Sequence, residues 1–420
     1  MARTRDDRVA VRNGTHAVRT GVLPATIPAT AAATQVWEVI VIGAGPAGAA
    51  AALRLARVGR RTLLIERSAM PRPKVCGCCL SPQAGRELTA LDLPPEALAT
   101  AIPLAAVRLV AGGHAARIPM QGAVTLSREA LDTALVRAAV AAGAHWLPRT
   151  TVRGIEEHAD GVRLVAEADP DAVVRLEGAV AVVAAGIVDS IRVDTAADTP
   201  LVPRPGRRIA PTSRIGLGAT LPAEAGDLPA GELVMATSRG GYAGIVRLED
   251  GRLDVAAAVD RARLGGADGP AAVLAAILAE SCGRLALPLD TQAVARAFVR
   301  ATPALTRQAP VHAGTRGRVL RVGDAAGYVE PFTGEGIGWA LTSGRLVAES
   351  IAAAPDPASA AAAWAGGHRA AFVGHHRRCR AVATAVRHPR LVAGLVRLAG
   401  LAPQAAAGVL PWITGGGGSR

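Results

Sequence analysis

The stretch WEVIVIGAGPAGAAAALRLARVGRRTLLIERS, residues 37–68, constrains the fold of this chain more than any other. Trp37–Ile42 is a short apolar run with β-branched residues, the pattern of a strand buried in a parallel sheet. Pro46–Val58 reads as a helix stopped by Gly59, and Thr62–Ile65 as a second buried strand. At the first strand–helix junction, Gly43, Gly45 and Gly48 form Gly-x-Gly-x-x-Gly, with Pro46 and Ala47 between the last two. The first glycine permits a tight turn. The second lets a pyrophosphate approach the backbone, and the third lets the helix pack on the strand with its N–H groups toward the phosphates. Glu66 ends the second strand 18 residues beyond Gly48, followed by Arg67. A carboxylate there accepts hydrogen bonds from a ribose 2′-OH and repels a 2′-phosphate. The pattern therefore predicts FAD or NAD, not NADP.

Composition narrows the class. The 420 residues are 50% hydrophobic, yet only five Trp, two Tyr and three Phe occur, so the core must be built from Ala, Val and Leu. The excess of Ala, Gly and Arg matches the coding bias of a GC-rich bacterial genome. The net charge is +13, but the arginines are scattered and aromatics scarce, which argues against nucleic-acid binding. No long uncharged apolar run marks a membrane span and no signal peptide is evident, so a cytoplasmic protein is the expectation. From His368 to Arg397, seven arginines and four histidines interleave with apolar residues, with no acid. That run reads as a solvated helix face or as a surface for peripheral membrane contact.

A second glycine-rich segment, GDAAGYVEPFTGEGIGWAL, follows the strand Val319–Val322. It resembles the flavin-contacting segment of the FAD-dependent monooxygenase and geranylgeranyl reductase superfamily. The resemblance covers most of residues 37–352. It implies FAD as cofactor, with Gly323 and Asp324 on the ribityl chain and Gly334, Gly336 and Ile337 at a helix N-terminus facing the flavin. LSREALDTALVRAAVAAGA resembles the superfamily's Arg-x-x-Leu-Asp helix, which implies Arg128 near the phosphates or ribose. Tyr242 and Phe332 fall where relatives enclose substrate.

Residues 71–82, PRPKVCGCCLSP, hold Cys76, Cys78, Cys79 and Lys74, the only lysine in the chain. Zinc needs four ligands, and no fourth partner is evident here. A Cys78–Cys79 disulfide would be strained, and plain buried thiols remain an alternative. The stretch resembles the Cys-Gly-Gly loop of the reductase branch, which favours an active-site role for Lys74 and Cys76. Three departures stand out. Cys78 replaces the second glycine of that loop. Ala185-Gly186 stands where an Asp-Gly motif is expected, which weakens the case for NAD(P)H as direct electron donor and leaves NAD(P)H and an electron-donor protein both open. The paired tryptophans of flavin halogenases are absent.

The expected fold is α/β: a Rossmann-like FAD-binding domain with an inserted mixed-sheet substrate domain and a C-terminal helical region. The expected boundaries are a disordered extension at 1–35, the first part of the FAD domain at 36–200 and the substrate domain at 201–305. The FAD domain returns at 306–355, followed by a helical region at 356–414 and a flexible tail at 415–420. The expected function is reduction of a double bond in a hydrophobic isoprenoid or polyketide-type substrate. Hydroxylation of a similar substrate is the alternative, and a non-catalytic prenyl-ligand binding module is the alternative of another class.

Overall fold

The computed structural model describes residues 22–413 apart from 169–171, 189, 196–207, 267–268, 283–284, 286–288, 314–316, 331 and 333. The first layer is a sheet whose centre is parallel. Strand β1 (Val36–Ile42) pairs with β2 (Thr62–Ile65) on one side and with β3 (Ala172–Val183) on the other, Val39 facing both Thr62 and Val180. The early part of β3 pairs antiparallel with Val162–Ala168, while its last residues pair in parallel with β4 (Val319–Arg321). The return of the chain at β4 thus completes the sheet begun nearly three hundred residues earlier, as the two glycine-rich segments predict.

Helix α1 (Pro46–Arg57) follows β1, and α2 (Arg128–Ala141) and α3 (Gly336–Ala353) pack against it. The alanines of α1 are almost all buried, so neighbouring backbones approach closely. A Cβ on Gly344 of α3 would lie 2.3 Å from the Ala47 carbonyl oxygen, so only glycine lets the two helices meet there. Ser127 caps α2 by accepting from the Ala130 N–H, as its position predicts.

The second layer is an eight-stranded sheet. Its strands run Arg300–Ala304, Ile215–Leu221, Leu253–Val259, Gly241–Arg247, Glu232–Ser238, Ile102–Ala111, His114–Thr125 and Cys79–Leu80. Here the expected boundary needs correction. The substrate-side sheet does not come from 201–305 alone, because residues 79–80 and the hairpin 102–125 supply three of its strands. The hairpin turns on Gly112 and Gly113, both with left-handed φ (56° and 77°). The expected boundary between residues 200 and 201 lies outside the described residues.

The N-terminal expectation is also corrected in part. Residues 1–21 lie outside the described residues, but 22–35 are ordered against the first domain. Ile27 and Ala32 are buried in the cluster around Trp37 and Leu147. Leu23 N–H donates to Met70 O and Thr26 N–H to Trp146 O. Burial of these apolar groups and the backbone bonds offset the chain entropy lost in ordering residues 22–35. The C-terminal region is helical: α4 (Pro357–Ala385), α5 (Pro389–Leu401) and α6 (Pro403–Ile413). The expected tail at 415–420 lies outside the described residues. No single described helix is long and apolar enough to cross a membrane.

Candidate active site

The glycine-rich turn is set by steric limits. Gly43 has φ 102°, and a Cβ there would lie 2.4 Å from Ala184 O; a Cβ on Gly48 would lie 1.9 Å from Gly43 O. Gly45 differs. A Cβ there would meet only guanidinium nitrogens, Arg128 Nη2 at 3.7 Å and Arg72 Nη2 at 3.9 Å. The two tight glycines hold the turn closed, and the third leaves its outer side open toward two cations.

Those cations belong to a buried network. Arg128 makes a bidentate pair with Asp132 (2.9 and 2.8 Å). Arg72 lies 3.5 Å from Asp132 and 3.2 Å from Glu66. Glu66 also accepts from the Ala44 N–H at 3.0 Å, so it braces the glycine turn as well as lining the cavity. Arg72 Nε and Nη1 are buried without hydrogen-bond acceptors among the described residues. Unsatisfied guanidinium N–H groups beside an open glycine turn and a helix N-terminus fit an anionic diphosphate. Arg67, exposed, lies at the rim of the same cavity.

The cavity is about 1340 Å³ and runs from Gly43 and Glu66 to the inner face of the second sheet. Gly323, Asp324, Gly334, Gly336 and Ile337 line its middle, with α3 beginning at Gly336. Ser343 Oγ accepts from the Gly323 N–H at 2.8 Å and fixes the turn that carries Asp324. Burial pushes the Asp324 carboxyl up, against the pull of Lys74, Arg128 and Arg307. Because Asp324 lines the cavity on that fixed turn, with Lys74, Arg128 and Arg307 favouring its charged form, Asp324→Ala is expected to weaken cofactor retention by about 1.5–3 kcal/mol, the scale of a charge-assisted hydrogen bond, read as a shift in FAD dissociation constant.

The far part of the cavity is apolar, lined by side chains such as Leu104, Val107, Leu109, Met120 and Met235. Tyr242 and Phe332 meet edge-to-face there, ring centroids 4.9 Å apart. Arg214, itself buried and paired with Glu330 at 3.0 Å, sits 5.5 Å from the Tyr242 ring and fixes it.

Between the two parts lies the cysteine loop. Lys74, Cys76 and Cys79 line the cavity; Cys78 points away, buried among Val246 and Leu248. Cys78 N–H donates to Cys76 Sγ at 3.4 Å. The Cys78 thiol and then the Arg128 guanidinium hold Cys76 well below a thiol's ordinary range, against the opposing effect of burial. Burial, with repulsion from Arg72 and Arg128, lowers Lys74 to about 8. Lys74 has no hydrogen-bond or ion-pair partner among the described residues. The same pairing with Cys76, and then burial, pushes Cys78 up, and burial pushes Cys79 up, so of the three thiols only Cys76 is lowered. Ala185 lines the cavity beside Gly186, and no carboxylate stands at that position.

These features place the predicted cofactor, substrate and catalytic residues around one cavity, except Gly48, whose work is packing beneath it, while Cys78 of the cysteine loop points away. They also add Arg72 and Asp132, which sequence reasoning missed. Asp132 sits at i+4 from Arg128, a spacing that makes a pair on one helix face. Arg72 carries no local signal.

The architecture joins an α/β domain with a glycine-rich turn of the dinucleotide-binding kind to an apolar pocket walled by a second sheet. Residues 36–185 match the FAD binding domain family, and this part of the chain is an FAD-binding domain. The chain is 52% identical over 56 residues to the menaquinone reductase of Mycobacterium tuberculosis, a match covering 13% of this chain and 14% of that relative. Among solved structures, the flavin-dependent brominase Bmp2 superposes with TM-score 0.71 at 18% identity, covering 91% of this chain and 94% of that one. A geranylgeranyl bacteriochlorophyll reductase-like protein from Thermoplasma acidophilum superposes with TM-score 0.69 at 17% identity, covering 87% and 92%. At such identities the structures share the fold, and the chain has the fold of the FAD-dependent monooxygenase and geranylgeranyl reductase superfamily.

Proposed function

We propose that this chain is an FAD-dependent reductase that saturates a carbon–carbon double bond in a hydrophobic, isoprenoid-type substrate. The observation that carries the reading is the place of the Lys74–Cys76 loop. It stands where the cation-lined, dinucleotide part of the cavity meets the apolar part. The local similarity to a menaquinone reductase and the shared fold with a geranylgeranyl reductase-like protein support the same reading.

FAD bound there supplies two-electron redox chemistry. The protein's residues supply the rest. Gly45, Arg72 and Arg128 receive the diphosphate, and Glu66 and Asp324 accept hydroxyl hydrogen bonds. Lys74 and the N-terminus of α3 hold negative charge in a site with little water. The aliphatic side chains of the second sheet orient the substrate and exclude solvent. Cys76 handles the proton. An apolar substrate covering it opposes the thiolate, so in the complex Cys76 carries a proton at Sγ and donates it to the substrate carbon. With no carboxylate at Ala185, direct reduction by NADH or NADPH is expected to be slow, and a protein electron donor is the favoured source.

The test uses purified FAD-loaded protein, reduced with dithionite without oxygen and mixed with a prenylated quinone in detergent. A product whose prenyl side chain has gained two hydrogens is expected, read from the fragment masses after the ring is reoxidised in air, because dithionite alone converts the quinone ring to the quinol. A product that has gained an oxygen atom, formed only in air, would replace reduction with hydroxylation. A colourless protein that takes up no FAD would point to a binding module. Lys74→Arg and Cys76→Ser should keep FAD yet slow turnover by roughly tenfold or more. Arginine keeps the charge, but its planar, bulkier head does not fit the site of an ammonium. Cys78→Gly should leave the backbone unstrained, because Cys78 already sits at φ 51°, a conformation that glycine adopts freely, but it removes the thiol that most lowers Cys76, so the pH at which Cys76 is alkylated should move upward.

A further inference from the structure

Helix α5, PRLVAGLVRLAGL, is apolar on two faces. One face is accounted for. Val392, Ala393, Val396 and Ala399 pack on Ala111 and Ala116 of the hairpin 102–125. The contact is close, since a Cβ on Gly112 would lie 2.9 Å from the Ala393 Cβ and one on Gly400 3.2 Å from Ala115 O. The other face is not covered. Leu391, Leu395, Leu398 and Leu401 are 49%, 53%, 63% and 77% exposed. Their spacing of four, three and three residues draws them into one outward stripe. A helix docked on a soluble domain ordinarily turns polar residues outward; here the only polar side chains, Arg390 and Arg397, flank the leucines along one edge.

Charge identifies what covers this stripe. From residue 357 to residue 420 the sequence holds eight arginines and no Asp or Glu. Arg390, Arg397 and, on α4, Arg377 and Arg380 are exposed. A leucine stripe edged by arginine, in a stretch without acid, complements an anionic bilayer surface. Helix α6 turns from α5 by 119°, so the pair cannot pass through a bilayer as one straight span but can lie along it. Residues Gln404, Ala407 and Gly408 of α6, the helix that directly follows α5, line the cavity described above, so α6 forms part of its wall.

We propose that the leucine face of α5, with Arg390 and Arg397, is a docking surface for anionic phospholipid membrane, from which a lipid-soluble ligand enters the cavity past α6. The docking itself rests on the helix surface and its charge, not on which reaction the cavity performs.

The test is sedimentation of the FAD-loaded protein with vesicles of phosphatidylglycerol and phosphatidylcholine. Most of the protein should pellet at low salt, with at least a tenfold loss of binding to vesicles of phosphatidylcholine alone. Leu395→Glu with Leu398→Glu should abolish binding. Arg390→Glu with Arg397→Glu should weaken it about tenfold, and its salt dependence should fall. Flavin absorbance and melting temperature equal to wild type show that the variants are folded, since none of these residues touches the dinucleotide part of the cavity. Equal binding to neutral and anionic vesicles, or leucine variants that pellet like wild type, would overturn the proposal. So would a wild-type dimer in sedimentation velocity that the leucine substitutions dissociate, because a second copy would then cover the face.

Discussion

Gly48→Ala should produce a protein that neither retains FAD nor reaches wild-type stability, whereas Gly45→Ala should fold normally and fail only in holding the cofactor. The contrast follows from what each added methyl group meets. On Gly48 it would lie 1.9 Å from Gly43 O and 2.9 Å from the Ala184 Cβ. Neither neighbour can give way, because Gly43 is itself held against Ala184 and its N–H donates to Ile65 O at 2.7 Å. Helix α1 must shift off β1, a strain of about 3 kcal/mol on the scale of core overpacking. On Gly45 the methyl group would stand in ordinary contact with two guanidinium ends. Stability should then change by less than about 0.5 kcal/mol, as for sites that strain nothing. The same methyl group would occupy the space through which a pyrophosphate approaches the backbone. FAD affinity should fall by about tenfold or more, a difference of about 1.4 kcal/mol or more. Calorimetry reads the first quantity and titration of flavin fluorescence the second. Wild-type FAD affinity in Gly45→Ala would mean that the cofactor does not approach this turn.

The glycine turn was legible in the sequence because its constraint is local. Gly48 answers to Gly43 O within the same turn and Glu66 to the end of the next strand, while the contact of Gly43 with Ala184 at the end of β3 adds a long-range constraint that the local pattern does not need. The hairpin 102–125 was equally local and was passed over. Its two runs flank Gly112-Gly113, and a Gly-Gly pair between strand-like runs is a hairpin signal. The proline inside each run, Pro103 and Pro119, and the irregular alternation obscured it. Once formed, the hairpin changes the domain map, since it carries the chain into the second sheet before the first sheet is finished.

Arg72 was illegible for a different reason. It follows the cis Met70–Pro71 peptide in a loop with no period, and nothing nearby in sequence marks it. Its partners, Glu66 and Asp132, come from a strand end and a separate helix that only the tertiary fold brings together. The exposed leucines of α5 show the converse limit. Periodicity reveals that both faces of the helix are apolar, but only the packed structure tells which face the hairpin takes and which it leaves outside.

Arg128→Met should cause the largest combined loss of any single substitution at the site, with three separable readouts. Asp132 is fully buried, and its bidentate partner would be gone, leaving Arg72 at 3.5 Å. Removing one member of a buried ion pair costs about 3–5 kcal/mol, because the remaining charge stays desolvated. FAD retention should fail as well, since one of the two cations facing Gly45 is removed. The third readout is the Cys76 thiol. Arg128 favours the thiolate, so its loss raises the Cys76 pKa, and the pH at which iodoacetamide alkylates Cys76 should move upward. A thiol held below its unfolded value stabilises the fold fully above that value, about 8.5, and loses the contribution as pH falls through the lowered one. Without Arg128 that contribution shrinks, so the variant's deficit should be larger above pH 8.5 than in acid. The double variant Arg128→Met, Asp132→Leu separates the effects. Exchanging both charges for apolar groups of similar volume removes the uncompensated carboxylate and should recover most of the melting temperature. It should recover neither FAD nor the share of the thiol's activation that Arg128 adds to that of Cys78, because both depend on the cation itself. Recovery of all three would make the pair a packing element and remove Arg128 from the site; recovery of none would mean that α2 depends on this pair to dock.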